Sequence, residues 1–576
     1  MLAASVMLRH IADDPVRALT LAWRVLPAPL RGWLRFAGPY GRAAALWGAG
    51  DRRGALTALE GRPARLAAFS LAVDQPQVAR SAIARLSDGS RARPRLAARL
   101  AYREGRLTDA VRALDGVRGW RAARLRRWLR AESEMLEPGR LRLAPPGRYG
   151  GAGSPSMRGV TGGSSPGGNT ILHIVTDALP STSAGYTVRT QEIAVAQRAA
   201  GLDPHVVTRI GFPVTAGKID GRRLVTVDGV PYHRLLPWIM PGRADTIAET
   251  GLRKAARLVA RLEPKALHAA SNYANALIAL ALRDATLLPV LYEVRGFWED
   301  TWLSRHAAAQ GAPGAPDLRD SERYRRSREL ETHCMRASDL VVTLGEAMRD
   351  EIVERGVPED KVIIVPNGVS GDFLRPLPDA AQLRKDLGIK DGEFVVGLVS
   401  SLVAHEGIGT LLEAVKILGD RGVPARALIV GDGPERGALQ RQAAALGLDA
   451  IFTGRVPMAR VRDYHAILDV FVVPRTRDRV CQLVTPLKPV EAMASGLPVV
   501  VSAVQALGEI VHDMATGLQA PPQDAGALAD SLQRLWSSPE LRERLGAAAR
   551  EWVARDRTWE HNAARYRAAY ARLGAL

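Results

Sequence analysis

The chain has 576 residues, 47% apolar and 24% charged, which is enough for several domains with complete cores and excludes a small module stapled by disulfides or metal. Its two cysteines, Cys334 and Cys481, lie far apart and match no metal-ligand spacing; no apolar run approaches the ~18–20 residues of a bilayer span, and the first residues show no secretory pattern. The expectation is a reducing, cytoplasmic setting without a disulfide framework. Of the net charge of +19, about +17 sits in residues 1–165, from about 29 arginines, no lysine and about 12 acids. That asymmetry points to an anionic partner, unless the arginines merely coat helix surfaces.

Residues 1–144 read as an Arg/Ala-rich helical domain. Three similar phrases, "ALTAL" (55–59), "AIARL" (82–86) and "AVRAL" (110–114), recur at about 27 residues, each after a polar or glycine-bearing turn, as in stacked helical hairpins with a packing role. Trp23, Leu30, Trp33, Leu34 and Phe36 interleave with Arg24, Arg31 and Arg35, a pattern suited to an interfacial helix on anionic lipid. Nucleic acid is not expected as a partner, since no zinc-finger, helix-turn-helix or RNA-binding signature accompanies the charge. Residues 145–169 are rich in Gly, Ser and Pro and predict a flexible linker.

From residue 170 short apolar strands alternate with amphipathic helices: "TILHIVT", "DPHVVTRI", "PVLYEV", "DLVVTL" and "KVIIVP". The same grammar restarts at "EFVVGLVSSL" and runs through "ARALIVGDG", "AIFTGR", "DVFVVP" and "LPVVVS". Unbroken apolar strands each followed by a helix predict parallel sheets covered on both faces. The fold class is therefore α/β: two Rossmann-like, doubly wound domains, 170–380 and 381–555, preceded by an all-α, helical-repeat-like domain. Residues 556–576 read as a C-terminal helix that crosses back to the first Rossmann-like domain. Two such sheets face one another across a cleft, with ligands beyond their carboxyl ends.

The stretch "LVTPLKPVEAMASGLPVVVS" (483–502) places Pro486 and Pro489 around the first turn of a helix. The free amides of Leu487 and Lys488, the helix dipole and the Lys488 ammonium together suit a phosphate without a metal. Glu491, one turn in and expected to be ionised, offers two acceptor oxygens matched to a vicinal diol such as ribose.

The phrases "AGYTVRTQEIAVAQRAAGL" (184–202), "RASDLVVTLGEAMRDEIVERGVPEDKVIIVPNGV" (336–369), "ALIVGDGPERGALQ" (427–440), "FTGRVPMARVRDYHAILDVFVVP" (452–474) and "KPVEAMASGLPVVVS" resemble, in their order, the family 4 retaining glycosyltransferases of the GT-B fold. Within that family "YEVRGFWED" (292–300) and "TPLKPVEAMA" (485–494) look most like the exopolysaccharide-assembly, exosortase-associated branch. The resemblance implies that Gly431 and Gly433 form the turn under the nucleotide. It also implies that the backbone of Arg455 and Val456 meets the base and that Gly185 and Tyr186 face the phosphates. Catalytic roles are expected of Arg295, Gln482 and Lys488, and donor binding of Glu491, Leu487, Thr485 and Arg475.

Three positions depart from the family pattern. The first acid of the usual carboxylate pair falls on Leu483, beside Gln482; the cations of the phosphate-clamping loop fall on Ser401 and Glu406; and the usual histidine aligns with Arg295, which stays protonated and cannot act as a base. The missing positive charge is assigned to Arg475 and Lys488, with Arg477 a weaker candidate. No Asp-x-Asp pair occurs, so no metal or other cofactor is expected. The implied function is retaining transfer of a sugar from a UDP or GDP donor to a glycan or polyprenyl-linked acceptor in cell-surface polysaccharide synthesis. Its expected place is the cytoplasm, peripheral to the inner face of the plasma membrane through residues 1–165. The rival readings are a nucleotide-sugar epimerase of the same architecture and a non-catalytic sugar-nucleotide-binding scaffold.

Overall fold

In a computed structural model of the chain, residues 1–25, 38–143, 168–306 and 317–576 are described, with Arg31 and Phe36 besides. Nearly all of the expected linker and much of the expected interfacial helix (Leu30, Trp33, Leu34, Arg35) lie outside the described residues.

The amino-terminal region is helical. Long and short helices alternate as Gly38–Gly48 with Arg52–Thr57, Pro63–Ala72 with Pro76–Ala84, and Arg93–Arg103 with Leu107–Arg112. The repeated phrases fall at the ends of the short helices. There Ala55, Leu59, Ala82, Ala110 and Leu114 are fully buried, so the repeat marks where one hairpin packs on the next. This region docks on the first α/β domain through Thr108, whose amide and hydroxyl both donate to the Glu322 carboxylate (2.7 and 2.8 Å), and through Arg326 on Ser133.

The first sheet holds eight strands: β1 (Thr170–Val175), β2 (Asp203–Thr208), β3 (Leu224–Val227), β4 (Val230–Arg234), β5 (Ala266–Ala270), β6 (Val290–Glu293), β7 (Leu340–Thr343) and β8 (Val362–Ile364). Their order is β3-β4-β2-β1-β5-β6-β7-β8, parallel except for the β3–β4 hairpin at one edge. The second sheet holds β9 (Phe394–Val399), β10 (Ala425–Val430), β11 (Ile451–Gly454), β12 (Val470–Val473), β13 (Val499–Ser502) and β14 (Leu518–Ala520), all parallel, in the order β11-β10-β9-β12-β13-β14. Central strands such as β1 and β12 are buried at every position, as parallel strands covered by helices on both faces must be. Strand direction of winding reverses between β1 and β5 in the first sheet and between β9 and β12 in the second, and these reversals open the crevices in which ligands of such sheets bind.

Two features of the first sheet, one at its edge and one at its centre, escaped the strand pattern. The β3–β4 hairpin turns at Asp228 (φ 47°) and Gly229 (φ 79°), an Asp-Gly pair flanked by alternating residues, which is a recognisable hairpin signal. Strand β5 is "ALHAA", without a β-branched residue, and only its pairing with β1 and β6 makes it a strand.

The C-terminal helix, Trp559–Arg572, packs on the first sheet: Trp559, Tyr566 and Tyr570 share a cluster with Ile171 and Ile193. The two α/β domains also grip one another directly. Glu509 of the second accepts from the amides of Glu346 and Ala347 (2.8 and 2.7 Å), capping helix Glu346–Glu354 of the first, and Asn367 donates to the Thr485 carbonyl (2.9 Å).

Candidate active site

At the crevice of the second sheet the loop after β9, the loop after β12 and the short helix Lys488–Ala494 meet. The Lys488 ammonium donates to the Ser400 hydroxyl and lies 3.5 Å from Glu406 Oε1, while Arg475 Nη2 lies 3.2 Å from the same oxygen. Burial pushes the Glu406 carboxyl up, but Arg475, Lys488 and His405 outweigh it and bring the group down to about 2. Glu406 is therefore an anion between two cations.

This arrangement corrects the assignment of Arg475. Its guanidinium is buried, with Nη1 on the Val484 carbonyl (2.9 Å) and Nη2 on Glu406, so it holds the loops together and does not present charge to a ligand. Lys488, half-buried, remains the cation at the cleft. The amides of Leu487 and Lys488 make no hydrogen bond among the described residues, as the placement of Pro486 and Pro489 predicts.

Glu491 is buried at 7% exposure, and burial, with Glu192 adding to it against Lys488, pushes its carboxyl up to about 7. The helix dipole does not keep it fully ionised. A seven-residue helix has a weak dipole, and desolvation is the larger effect. Glu192 faces it from helix Gly185–Ala199 of the first domain and is likewise pushed up to about 7, by burial and then by Asp228. Nothing in the sequence singles out Glu192. It lies two turns into a helix, and only the facing of the two domains brings it to the cleft.

Helix Gly185–Ala199 begins right after the loop that follows β1, at the crevice of the first sheet. A side chain at Gly185 would meet nothing within 4 Å, so this first turn faces open space, and Tyr186 is exposed with its hydroxyl on Asp177 (3.1 Å). Arg295 is not free to meet a phosphate, contrary to its expected catalytic role. Its Nη1 donates to the Tyr186 carbonyl (2.8 Å) and Thr190 Oγ1 (2.7 Å), and its Nη2 to Glu293 (2.6 Å). It positions the helix mouth from behind.

Behind Arg295 lies a buried polar network that the sequence did not flag. Glu293, at 0% exposure, accepts from Arg189 Nε (2.7 Å), Arg295, His268 Nε2 (3.0 Å) and the Tyr566 hydroxyl (3.0 Å). Burial opposes its charge, but Arg295 and Arg189 outweigh burial and hold it well below the usual carboxylate range. Arg189 also donates to the Val365 and Pro366 carbonyls and to Asn367, so one guanidinium ties the β1 helix, the chain passing to the second domain and the C-terminal helix together.

The remaining expected residues divide by role. Gly431 (φ 137°) and Gly433 lie so close under the backbone of Ser400 and Leu402 that a Cβ at either would collide with a carbonyl oxygen, so they seat the β9 loop on the β10 loop. Arg455, exposed, and Val456 follow β11 at the open edge. Thr485 is buried with its hydroxyl unpartnered. Gln482 Oε1 accepts from the Gln505 backbone amide (3.2 Å), a bond that ties it to helix Gln505–Gly508. Leu483, where an acid was looked for, packs into the core of the first domain, with Val484 against the same cluster.

Two family comparisons match these domains in turn: residues 184–368 match the glycosyl transferase 4-like domain, and residues 379–552 match glycosyl transferases group 1. The chain carries both domains of a family 4-type GT-B glycosyltransferase. Curated relatives of these GT-B domains include the GDP-mannose-dependent alpha-(1-6)-phosphatidylinositol monomannoside mannosyltransferase of Mycolicibacterium smegmatis, 33% identical over 40% of this chain and 61% of that protein. Another is the 2-deoxystreptamine glucosyltransferase of Streptomyces kanamyceticus, 29% identical over 41% of this chain and 60% of that protein. The matched part thus spans about three fifths of the length of these relatives. Among solved structures, sucrose-phosphate synthase from Thermosynechococcus elongatus shares the fold with a TM-score of 0.56 and 21% identity, over 71% of this chain and 100% of that one. Anabaena HepE in complex with UDP and glucose shares it with a TM-score of 0.53 and 17% identity, over 70% of this chain and 99% of that one. No helix among the described residues is long and apolar enough to cross a membrane.

Proposed function

We propose that the chain is a retaining glycosyltransferase that moves a sugar from a nucleoside diphosphate donor to a glycan or lipid-linked acceptor in cell-surface polysaccharide synthesis, working peripherally at a membrane. The observation that carries the reading is that one short helix at the crevice of the second sheet carries both Lys488 and Glu491, with Glu192 of the helix that opens at Gly185 and Tyr186 acting on Glu491 from the first domain. Lys488 and the amides of Leu487 and Lys488 would meet the charge that grows on the departing diphosphate, and Glu491 would hold the ribose diol. Arg455 and Val456 would lie along the base through their backbone. In a retaining transfer the departing phosphate itself helps take the proton from the acceptor hydroxyl, so no protein nucleophile is assigned. Closure of the two domains would keep water from the donor. The exopolysaccharide branch is supported by "YEVRGFWED" and "TPLKPVEAMA".

A second reading, a donor-binding protein without turnover, is favoured by Glu406 and Leu483. The first neutralises one of the two cations of the crevice, and the second fills with a buried side chain the place where an acid was expected. Incubation with a panel of UDP and GDP sugars and candidate acceptors separates the readings. Transfer with retained configuration supports the enzyme, interconversion without acceptor would make it an epimerase, and saturable binding with no product would leave a scaffold.

A further inference from the structure

The first helix, Leu2–Asp13, turns its apolar stripe outward. Met7 and Leu8 are each 66% exposed, Ile11 44%, and none of the helix's residues is fully buried. Its inward face carries half-buried Leu2, Ala3 and Val6 and is tied down by polar bonds: Ser5 Oγ accepts from the Met240 amide (3.0 Å), and Arg9 Nη1 donates to the Pro241 carbonyl (2.8 Å). Those bonds hold the loop after β4 against the helix, and that loop lifts Trp238 (80% exposed) and Ile239 (61%) into solvent. The loop after β2 joins them, since its turn Val214–Ala216 also packs on the helix and is followed by Ile219, 91% exposed, between Lys218 and the pair Arg222 and Arg223. Against Asp220, that loop is net positive. Both loops leave the carboxyl ends of strands parallel to β1, so the apolar group lies along the same edge of the first sheet as the open helix mouth at Gly185.

A monomeric soluble protein rarely leaves so many large apolar side chains exposed together. Here they come from three segments held together at the first helix, on a sheet edge that also carries Lys218, Arg222 and Arg223, and an exposed tryptophan with cations is the combination favoured at a bilayer interface. We propose that this surface, made of Met7, Leu8, Ile11, Ile219, Trp238 and Ile239, seats on an anionic lipid bilayer and sets the acceptor side of the cleft against it. The assignment rests on the lipid-linked acceptor reading for its purpose, though not for its physics.

The test is sedimentation of the full chain with vesicles of phosphatidylcholine alone or of phosphatidylcholine and phosphatidylglycerol in equal parts. Wild-type protein should pellet with the anionic vesicles, and Trp238→Ser with Ile239→Ser, or Met7→Ser with Leu8→Ser, should each lower the partition about tenfold. Trp536→Ser, at an exposed site on the second domain, should leave it unchanged. Since every replaced side chain is exposed, melting temperatures should match wild type. Wild-type protein left in the supernatant, or variants that pellet like wild type, would overturn the proposal. So would variants that change only the self-association of the chain, which would make the surface a contact between copies. UDP and GDP binding by the same variants should equal wild type; its loss in wild type as well would count against the donor site and not against the lipid surface.

Discussion

The crevices of the two sheets occupy equivalent places and use charge in opposite ways. In the first, Glu293, Arg189, Arg295 and His268 are buried and bonded to one another, so the ions brace the helix mouth and the C-terminal helix. In the second, Arg475 and Glu406 play that bracing part, but Lys488 and Glu491 are left to face the cleft, one half-buried and the other pushed up by burial to about 7. A charged residue near a crevice is thus available to a ligand only when its neighbours have not enclosed it: Lys488, though 3.5 Å from Glu406, keeps 31% of its side chain exposed, whereas Arg295 beside Glu293 keeps 7%. Arg295 and Lys488, equally plausible as sequence letters, fall on different sides of that line.

The largest expected effect should separate bracing from binding. Glu293→Gln would leave Arg189 and Arg295 buried without their counter-charge and should cost about 3–5 kcal/mol of stability in denaturant unfolding. A change within error would mean that the network is not what holds the first crevice. Lys488→Ala should do the converse, leaving stability nearly intact while weakening UDP or GDP binding about 10–100-fold by calorimetry. A Lys488→Ala protein that unfolded as readily as Glu293→Gln would erase the contrast.

Glu491 sharpens it through pH. Its folded pKa of about 7 lies above the ordinary carboxylate range, so its contribution to stability is full in acid and is lost as pH rises through about 7. Glu491→Gln should therefore stabilise the free protein by about 2 kcal/mol above that pH and not in acid. Donor affinity should run the other way, falling about tenfold from pH 8 to pH 6 as the carboxylate that accepts the diol is protonated. A flat profile would remove Glu491 from the donor site. The smallest effect belongs to Glu406→Gln, which releases Lys488 from its internal partner and should tighten donor binding about threefold, with some loss of stability from the unpaired Arg475.

The architecture was legible because parallel strands covered on both faces must be largely apolar, and "ALIV" and "VFVV" are so throughout, with "TILHIV" interrupted only by Thr170 and His173. The helical hairpins could be read from alanine and leucine recurring at one spacing. What escaped was set by tertiary contacts. Strand β5 has no strand signature apart from its neighbours. Glu293 sits in a strand run and reads as its polar end, and Glu192 becomes part of the cleft only when helix Gly185–Ala199 meets the second domain. The site residues expected from 483–502 lie around one crevice, but the sequence could not say which cations were spent. That depends on Glu406 folding under Arg475, a contact across 69 residues of chain.

The most direct test is the structure of the protein with UDP or GDP bound, crystallised in the presence of EDTA. The account predicts the distal phosphate within hydrogen-bond reach of the Lys488 ammonium and of the amides of Leu487 and Lys488, the ribose hydroxyls on Glu491, and Arg295 and Arg475 still on Glu293 and Glu406. A nucleotide bound elsewhere, or a phosphate held by Arg475 after release from Glu406, would contradict it.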